Sequence, residues 1–232
     1  MLRHTALFMY RDFVTEQQKL IMKKGLAYLA FGCPSVRSFD FGADLMGGSK
    51  PLLEVKPFRR TPLWKARKSG PPSNYDVAIH LDFDDQAGID DYNHDDVHHE
   101  VGEYNASVCR AEFTARVDWW YDGPSPLTER GKVRHVSLFL WDDDLADAKK
   151  AEAKAALASL KGAVPSVRRV TIGDNVGTLT TDYDLILDVQ FDDVEGARAY
   201  FDHPAQKEAI AVVAGLTKYE WTARITHTMQ LG

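Results

Sequence analysis

The chain has 232 residues, 27% of them charged, and a formal net charge of −6. That length allows one large domain or two small ones around a packed core. The acidic balance provides no global field for nucleic acid, and no apolar run approaches the ~18 residues that a membrane span requires. The start, "MLRHTALFMYRDF", lacks the charge pattern, apolar stretch and cleavage site of a secretory leader, so a soluble cytoplasmic protein is expected. Cys33 and Cys109 are the only cysteines and lack CxxC spacing, so they read as buried free thiols.

In chain order, "RHTALFMY" alternates as a strand does, and a helix follows. "PSVR" at 34–37 starts a second strand, and a Pro-rich stretch occupies 47–73. "YDVAIHLDF" makes a third strand, a broken helix crosses "YNHDDVHHEV" (92–101), and "EFTARVDWW" makes a fourth. Then the pattern repeats. Arg3 to Asp12 returns as Arg134 to Asp143, and Pro34 to Asp44 as Pro165 to Asn175, both at an offset of 131. Beyond the Pro-rich stretch, Asn74 to Asp85 aligns with Asp182 to Asp193 at an offset of 108, so the first copy carries about 23 extra residues. The helix of the second copy is the clearer one, because "DLADAKKAEAKAALASLKG" is rich in strong helix formers and ends at Gly162.

The order βαββαβ in each copy predicts an α+β fold: two tandem ferredoxin-like domains, each with helices on one face of an antiparallel sheet. A single such sheet leaves its other face bare. Packing the copies sheet to sheet buries both faces, giving a pseudo-dimeric α/β barrel inside one chain, with further self-association left open. The expected domains are 1–121 and 133–232, joined by the Pro- and Gly-containing linker 122–132.

"RHxxLF", "PSVR", the "YDxxxxxxF" strand and the "Y…HPA" junction of the second copy, in shared order, resemble the stress-responsive α/β-barrel (Dabb) family of the dimeric α/β-barrel group. The resemblance implies a dimer through the sheets, here made internal. It also implies either a stress-associated protein without chemistry or a cofactor-free enzyme, such as a polyketide cyclase or hydroxynitrile lyase, using a Tyr and a His at the broken helix with a His on the first strand. Those positions fall on Tyr92, His98 and His4 in the first copy. In the second they fall on Tyr200, Gln206 and His135, so only the first copy keeps the set and the second reads as degenerate. Where "HPAH" is common in relatives, the first copy has "DDVH", Asp95 to His98.

Pro204 suits the first turn of a helix, with His203 as N-cap; by the offset of 108, Asp95 caps the corresponding helix in the first copy. Tyr92 and His98 then lie on either side of a bend and can converge on one pocket, as phenol donor and imidazole base. At His98 the helix N-terminus disfavours imidazolium while Asp95, Asp96 and Glu100 favour it, and the sequence leaves that balance open. His94 and His98 at i, i+4 match zinc-binding helices only if the helix is continuous, and the break removes that geometry. No metal and no cofactor are expected. His4 reads equally as a catalytic or a hydrogen-bonded structural residue, and His80, whose equivalent is Asp188, has no assigned role.

The stretch 47–73 holds seven Lys or Arg, one Glu and five Pro, with Phe58 and Trp64 as apolar anchors. It reads as a lid presenting Arg59, Arg60 and Trp64 to an anionic or aromatic substrate, or equally as a basic loop on the protein's own acidic surface or a self-association contact. The expected function is a cofactor-independent lyase or cyclase acting on a small molecule, with His98 as base, Tyr92 polarising the substrate and His4 in support. The alternatives are a non-catalytic stress-response or small-molecule-binding barrel, and a monooxygenase of the wider barrel group. No nucleic-acid or membrane partner is expected.

Overall fold

The computed structural model describes residues 1–47, 53–54, 67–68, 72–123, 129–177 and 182–230. Four strands form the first sheet: β1 (Leu2–Phe8), β2 (Ser38–Ala43), β6 (Val77–Phe83) and β7 (Ala115–Trp120), in the order β2-β6-β1-β7. Between β2 and β6 lie two short strands, β3 (Leu53–Glu54) and β4 (Arg67–Lys68), which pair with each other, and β5 (Ser73–Asn74). The second sheet joins β8 (Val133–Phe139), β9 (Arg169–Asp174), β10 (Leu185–Phe191) and β11 (Ala223–Thr228) in the equivalent order β11-β8-β10-β9, with β5 added in parallel at its edge. Every other long-strand pairing is antiparallel. The repeat in the sequence is a repeat in topology, and the α+β barrel expectation holds.

Helices α1 (Glu16–Gly32), α2 (Gln86–His94) and α3 (Asp96–Val108) cover the first sheet; α4 (Asp147–Ala163), α5 (Val194–Asp202) and α6 (Pro204–Ala214) cover the second. Local chemistry sets their ends. Thr15 caps α1 in a capping box with Gln18, Asp85 and Asp193 cap α2 and α5, and His203 caps α6 with Pro204 in its first turn. No helix among the described residues is long and apolar enough to cross a membrane.

Strand alternation splits each sheet into two buried faces. On β1, His4, Ala6 and Phe8 line the helix-side cavity, while Leu7 joins the cluster between the sheets; on β8, Val136 and Leu138 face that same inter-sheet core. Leu7, Met9, Trp119, Tyr121, Val136, Leu138, Tyr183 and Ile186 belong to this core, and separate apolar clusters lie under each set of helices. Burying both faces explains why polar strand positions such as Arg3, His80, Asp82 and Asp188 are at most 1% exposed. The sheet edges are also joined: Val176 N–H donates to Asp118 O and Tyr183 N–H to Arg116 O beside β7, while Leu45 N–H donates to Thr226 O beside β11. Such edge bonds close the barrel and leave less backbone unpaired.

Candidate active site

A cavity of about 470 Å³ opens between the first sheet and helices α1–α3. Its apolar walls come from Leu26, Leu29, Ile79, Ile89 and Val101, and its polar groups from His4, Tyr92, Asn93, His98, Arg116 and Asp118, with Asp182 reaching in from the second half. An apolar cavity with a few convergent polar groups is the ordinary form of a small-molecule site.

The break between α2 and α3 builds the centre of this site. Asp95 is at once the C-cap of α2 and the N-cap of α3, where its carboxylate accepts from Val97 N–H at 2.8 Å. Changing helix direction there brings the rings of Tyr92 and His98 to a centroid distance of 4.0 Å, although they are six residues apart. His4, on β1, lies 6.1 Å from the Tyr92 ring on the same cavity. The three side chains singled out in the sequence therefore share one pocket. His94 is exposed on the other side of the break, with Nδ1 2.7 Å from its own-helix carbonyl of Asp90.

Burial decides the balance that sequence left open at His98. Desolvation, then the fields of His4 and His99, outweigh the Asn93 backbone and push its pKa down to about 4, so the imidazole is neutral at pH 7. Its Nδ1 is buried without a hydrogen-bond partner among the described residues. Tyr92 is 3% exposed, and burial pushes its phenol well above the usual range, so it is a proton-bearing donor.

His4 differs in having an anionic partner. Its Nδ1 lies 2.6 Å from Asp118 Oδ1 on β7. Desolvation pulls the Asp118 pKa upward, but the charge and hydrogen bond of His4 and the charge of Arg116 outweigh it and hold the carboxyl below its usual value. In the neutral tautomer that donates Nδ1–H to this carboxylate, Nε2 would carry the lone pair that a base needs. The second half braces the strand that carries Asp118: Asn175 Oδ1 accepts from Asp118 N–H at 3.0 Å, and Asp182 lies 3.5 Å from Arg116 Nε.

Asp118, Asn93, Arg116 and Asp182 are site residues that the sequence reading missed. A signal for two of them was present in the repeat, where Asp118 aligns with Thr226 and Asn93 with Phe201. Arg59, Arg60 and Trp64, read as substrate-binding, lie outside the described residues.

The second half shows the same scaffold sealed. His135 donates or accepts at both ring nitrogens, to Thr226 Oγ1 at 2.9 Å and Ser137 Oγ at 3.0 Å, and Phe201 packs edge-on against it at 4.8 Å. Burial pushes the His135 pKa down to about 3.

Sheet order, internal pseudo-symmetry and the helix-break cavity define the class: a tandem ferredoxin-like α/β barrel. Within it, residues 133–223 match the model of the stress responsive A/B barrel domain family, Dabb. Among solved structures, an anthrone oxidase-like protein is similar at 13% identity and TM-score 0.66, over 99% of this chain and 91% of that one. A proposed monooxygenase from Fusobacterium nucleatum is similar at 8% identity and TM-score 0.51, over 99% and 91%. A dimeric ferredoxin-like protein from Thermobifida fusca shares 26% identity over 43% of this chain and 92% of its own, at TM-score 0.38. No curated protein matches the chain. The whole-chain similarities establish the tandem fold.

Proposed function

We propose that the protein is a cofactor-independent acid–base enzyme of lyase or cyclase type, acting on a small aromatic or polyketide-like carbonyl compound in the first-half cavity, within a domain spanning 1–121. The observation that carries this reading is the convergence of an Asp-backed imidazole, a protonated phenol and a neutral imidazole on one largely apolar cavity. His4 takes the proton, because Asp118 is placed to pair with the imidazolium that forms. Among the described residues, no carboxylate is placed against the His98 ring as Asp118 is against His4, and burial together with the fields of His4, His99 and Arg116 opposes a positive charge there. His98 therefore serves better as a neutral positioning group beside Tyr92, whose hydroxyl donates to the carbonyl oxygen as negative charge develops there. This exchanges the roles expected from sequence, where His98 was the base and His4 its support. The basic stretch 47–73 is retained as the element that favours an anionic substrate, through Arg59, Arg60 and Trp64.

The test is proton exchange at carbon. Small aromatic ketones, cyanohydrins and linear polyketide mimics are incubated with the protein in deuterated buffer without added metal or cofactor. Mass spectrometry then follows deuterium uptake, ring closure or C–C cleavage. Activity that falls in His4→Ala and Tyr92→Phe but persists in His135→Asn and Tyr200→Phe supports the reading. Activity unchanged in His4→Ala with Tyr92→Phe would overturn it. Binding of the same compounds without any turnover would favour the non-catalytic small-molecule barrel instead.

A further inference from the structure

Between the sheets, on the face of the first sheet opposite the cavity, lies a second group of imidazoles that the proposed reaction does not use. His80 on β6 and His227 on β11 are fully buried, with their Nε2 atoms 3.3 Å apart and rings inclined by 20°. Asp40 on β2, also fully buried, completes a group whose ligand-type atoms all lie within 4.8 Å of one another. Three strands from both sheets supply it.

We propose that Asp40, His80 and His227 form a metal site for a first-row divalent cation, with zinc the best match to the donor set, clamping the first sheet to the second. Four observations carry this. First, two imidazole nitrogens bound at ~2.0–2.1 Å to one tetrahedral ion lie ~3.3–3.4 Å apart, whereas a direct N–H···N bond is usually shorter than the spacing here. Second, the other nitrogen of each ring is held by an outer partner: His80 Nδ1 by Thr5 Oγ1 at 3.0 Å, and His227 Nδ1, donating, by Thr228 O at 3.2 Å. That is how metal-bound imidazoles are oriented.

Third, charge in the surrounding dry layer is unbalanced. Arg3 pairs with Asp82 at 2.6 Å, and Arg134 lies 2.8 Å from Asp40 and 3.2 Å from Asp188. Three carboxylates against two guanidiniums leave one formal negative charge in excess, which a bound cation would offset, although Arg134 opposes positive charge at both imidazoles and is itself paired with Asp40. Fourth, the group sits at only one of two quasi-equivalent positions. The equivalents of His80, His227 and Asp40 are Asp188, Trp119 and Thr171, yet the seat is the same: Gly42 leaves room for the His227 ring as Gly173 does for Trp119, and a Cβ at either glycine would overlap the ring. The scaffold accommodates an aromatic in both places and, among the described residues, gathers three ligand-type side chains in one.

A fully buried ion enters most readily before the sheets close, so the protein is stripped by a chelator in denaturant and refolded with zinc or cobalt(II) alone. The expected result is about one ion retained per chain after desalting, visible cobalt absorption of a four- or five-coordinate centre, and an anomalous peak between the two Nε2 atoms. His80→Gln and His227→Gln lose the ion, and Thr5→Val holds it ~10–100-fold more weakly. His94→Ala with His99→Ala keeps it. No ion retained by the refolded wild-type protein, an anomalous peak elsewhere, or retention in both Gln variants would overturn the site. Should the Gln variants fail to fold, the anomalous map of the wild-type protein decides alone.

Discussion

Both halves of the chain carry a histidine on their first strand and a tyrosine before their helix break, yet one half opens a cavity at these groups and the other buries them against Phe201. Four substitutions separate the outcomes. Where the first half has Ala6, Asn93, His98 and Asp118, the second has Ser137, Phe201, Gln206 and Thr226. Ser137 and Thr226 occupy both nitrogens of His135, and Phe201 fills the space in front of it. In the first half, Ala6 offers no hydrogen bond, Asp118 takes only Nδ1 of His4, and Asn93 lines the cavity. The comparison teaches that the backbone alone does not make a site here. What distinguishes the cavity is a half-buried carboxylate behind one imidazole and the lack of an aromatic plug.

The largest test of that contrast is turnover. Tyr92→Phe and His4→Ala should each lower the rate found for an accepted substrate by roughly 10²–10⁴-fold, the usual range for a positioned acid or base. Tyr200→Phe and His135→Asn should leave it within about twofold, since their groups are closed off from solvent and substrate. Rates measured on all four variants decide whether the halves differ in chemistry as they do in packing.

Much of the contrast could be read from the sequence. The repeat aligned His98 with Gln206, and Pro204 located the helix break, because proline is tolerated in a helix mainly in its first turn. Asp118 escaped notice since "ARVDWW" and "ARITHT" both read as strand, and nothing local says that position 118 lies beside position 4. Only the pairing of β1 with β7, which sets His4 opposite Asp118, shows it. His80 was hidden for another reason. Its phase opposite Val77, Ile79 and Leu81 puts it on the face between the sheets, where it is fully buried, but nothing local says that His227 and Asp40 meet it there. Long-range packing, rather than local pattern, carried the missing information.

The sealed half should also announce itself through pH. His135 is fully buried with its pKa pushed down to about 3, whereas an unfolded imidazole titrates near 6.5. Below pH 6.5 the unfolded chain takes up a proton that native His135 refuses, so stability present above that pH is lost as pH falls toward 3. Between pH 8 and pH 5 the loss is about 2 kcal/mol from this residue. Urea denaturation at the two pH values should therefore show a pH-dependent loss of stability smaller by about that amount in His135→Asn than in the wild-type protein, whatever the absolute stability of the variant.

Transplanting the plug is the next sharpest experiment. Asn93→Phe should place in the first cavity the ring that Phe201 places in the second, and weaken binding of a cavity ligand by about tenfold or more, which corresponds to roughly 1.4 kcal/mol. Calorimetry with any ligand found in the exchange screen reads the effect. Phe201→Asn alone should not create a second site, because Ser137 and Thr226 still hold both nitrogens of His135. A stoichiometry rising to two ligands per chain in that single variant would show that the plug, and not the hydroxyls, keeps the second half silent.

The smallest effect belongs to the position that distinguishes the halves most sharply in chemistry, 118 against 226. Thr226→Val removes a buried hydroxyl bonded to His135 while keeping its shape, and should cost about 1 kcal/mol of stability with no change in turnover. Asp118→Asn keeps a hydrogen-bond acceptor for His4 Nδ1 but removes the negative charge that pairs with its imidazolium. It should change stability by a similarly small amount while lowering turnover, with substrate affinity largely kept, because the lost interaction forms only as the proton is transferred. If Asp118→Asn proved as silent in turnover as Thr226→Val, the carboxylate would be no more than a structural partner for His4, and the base assignment would return to His98.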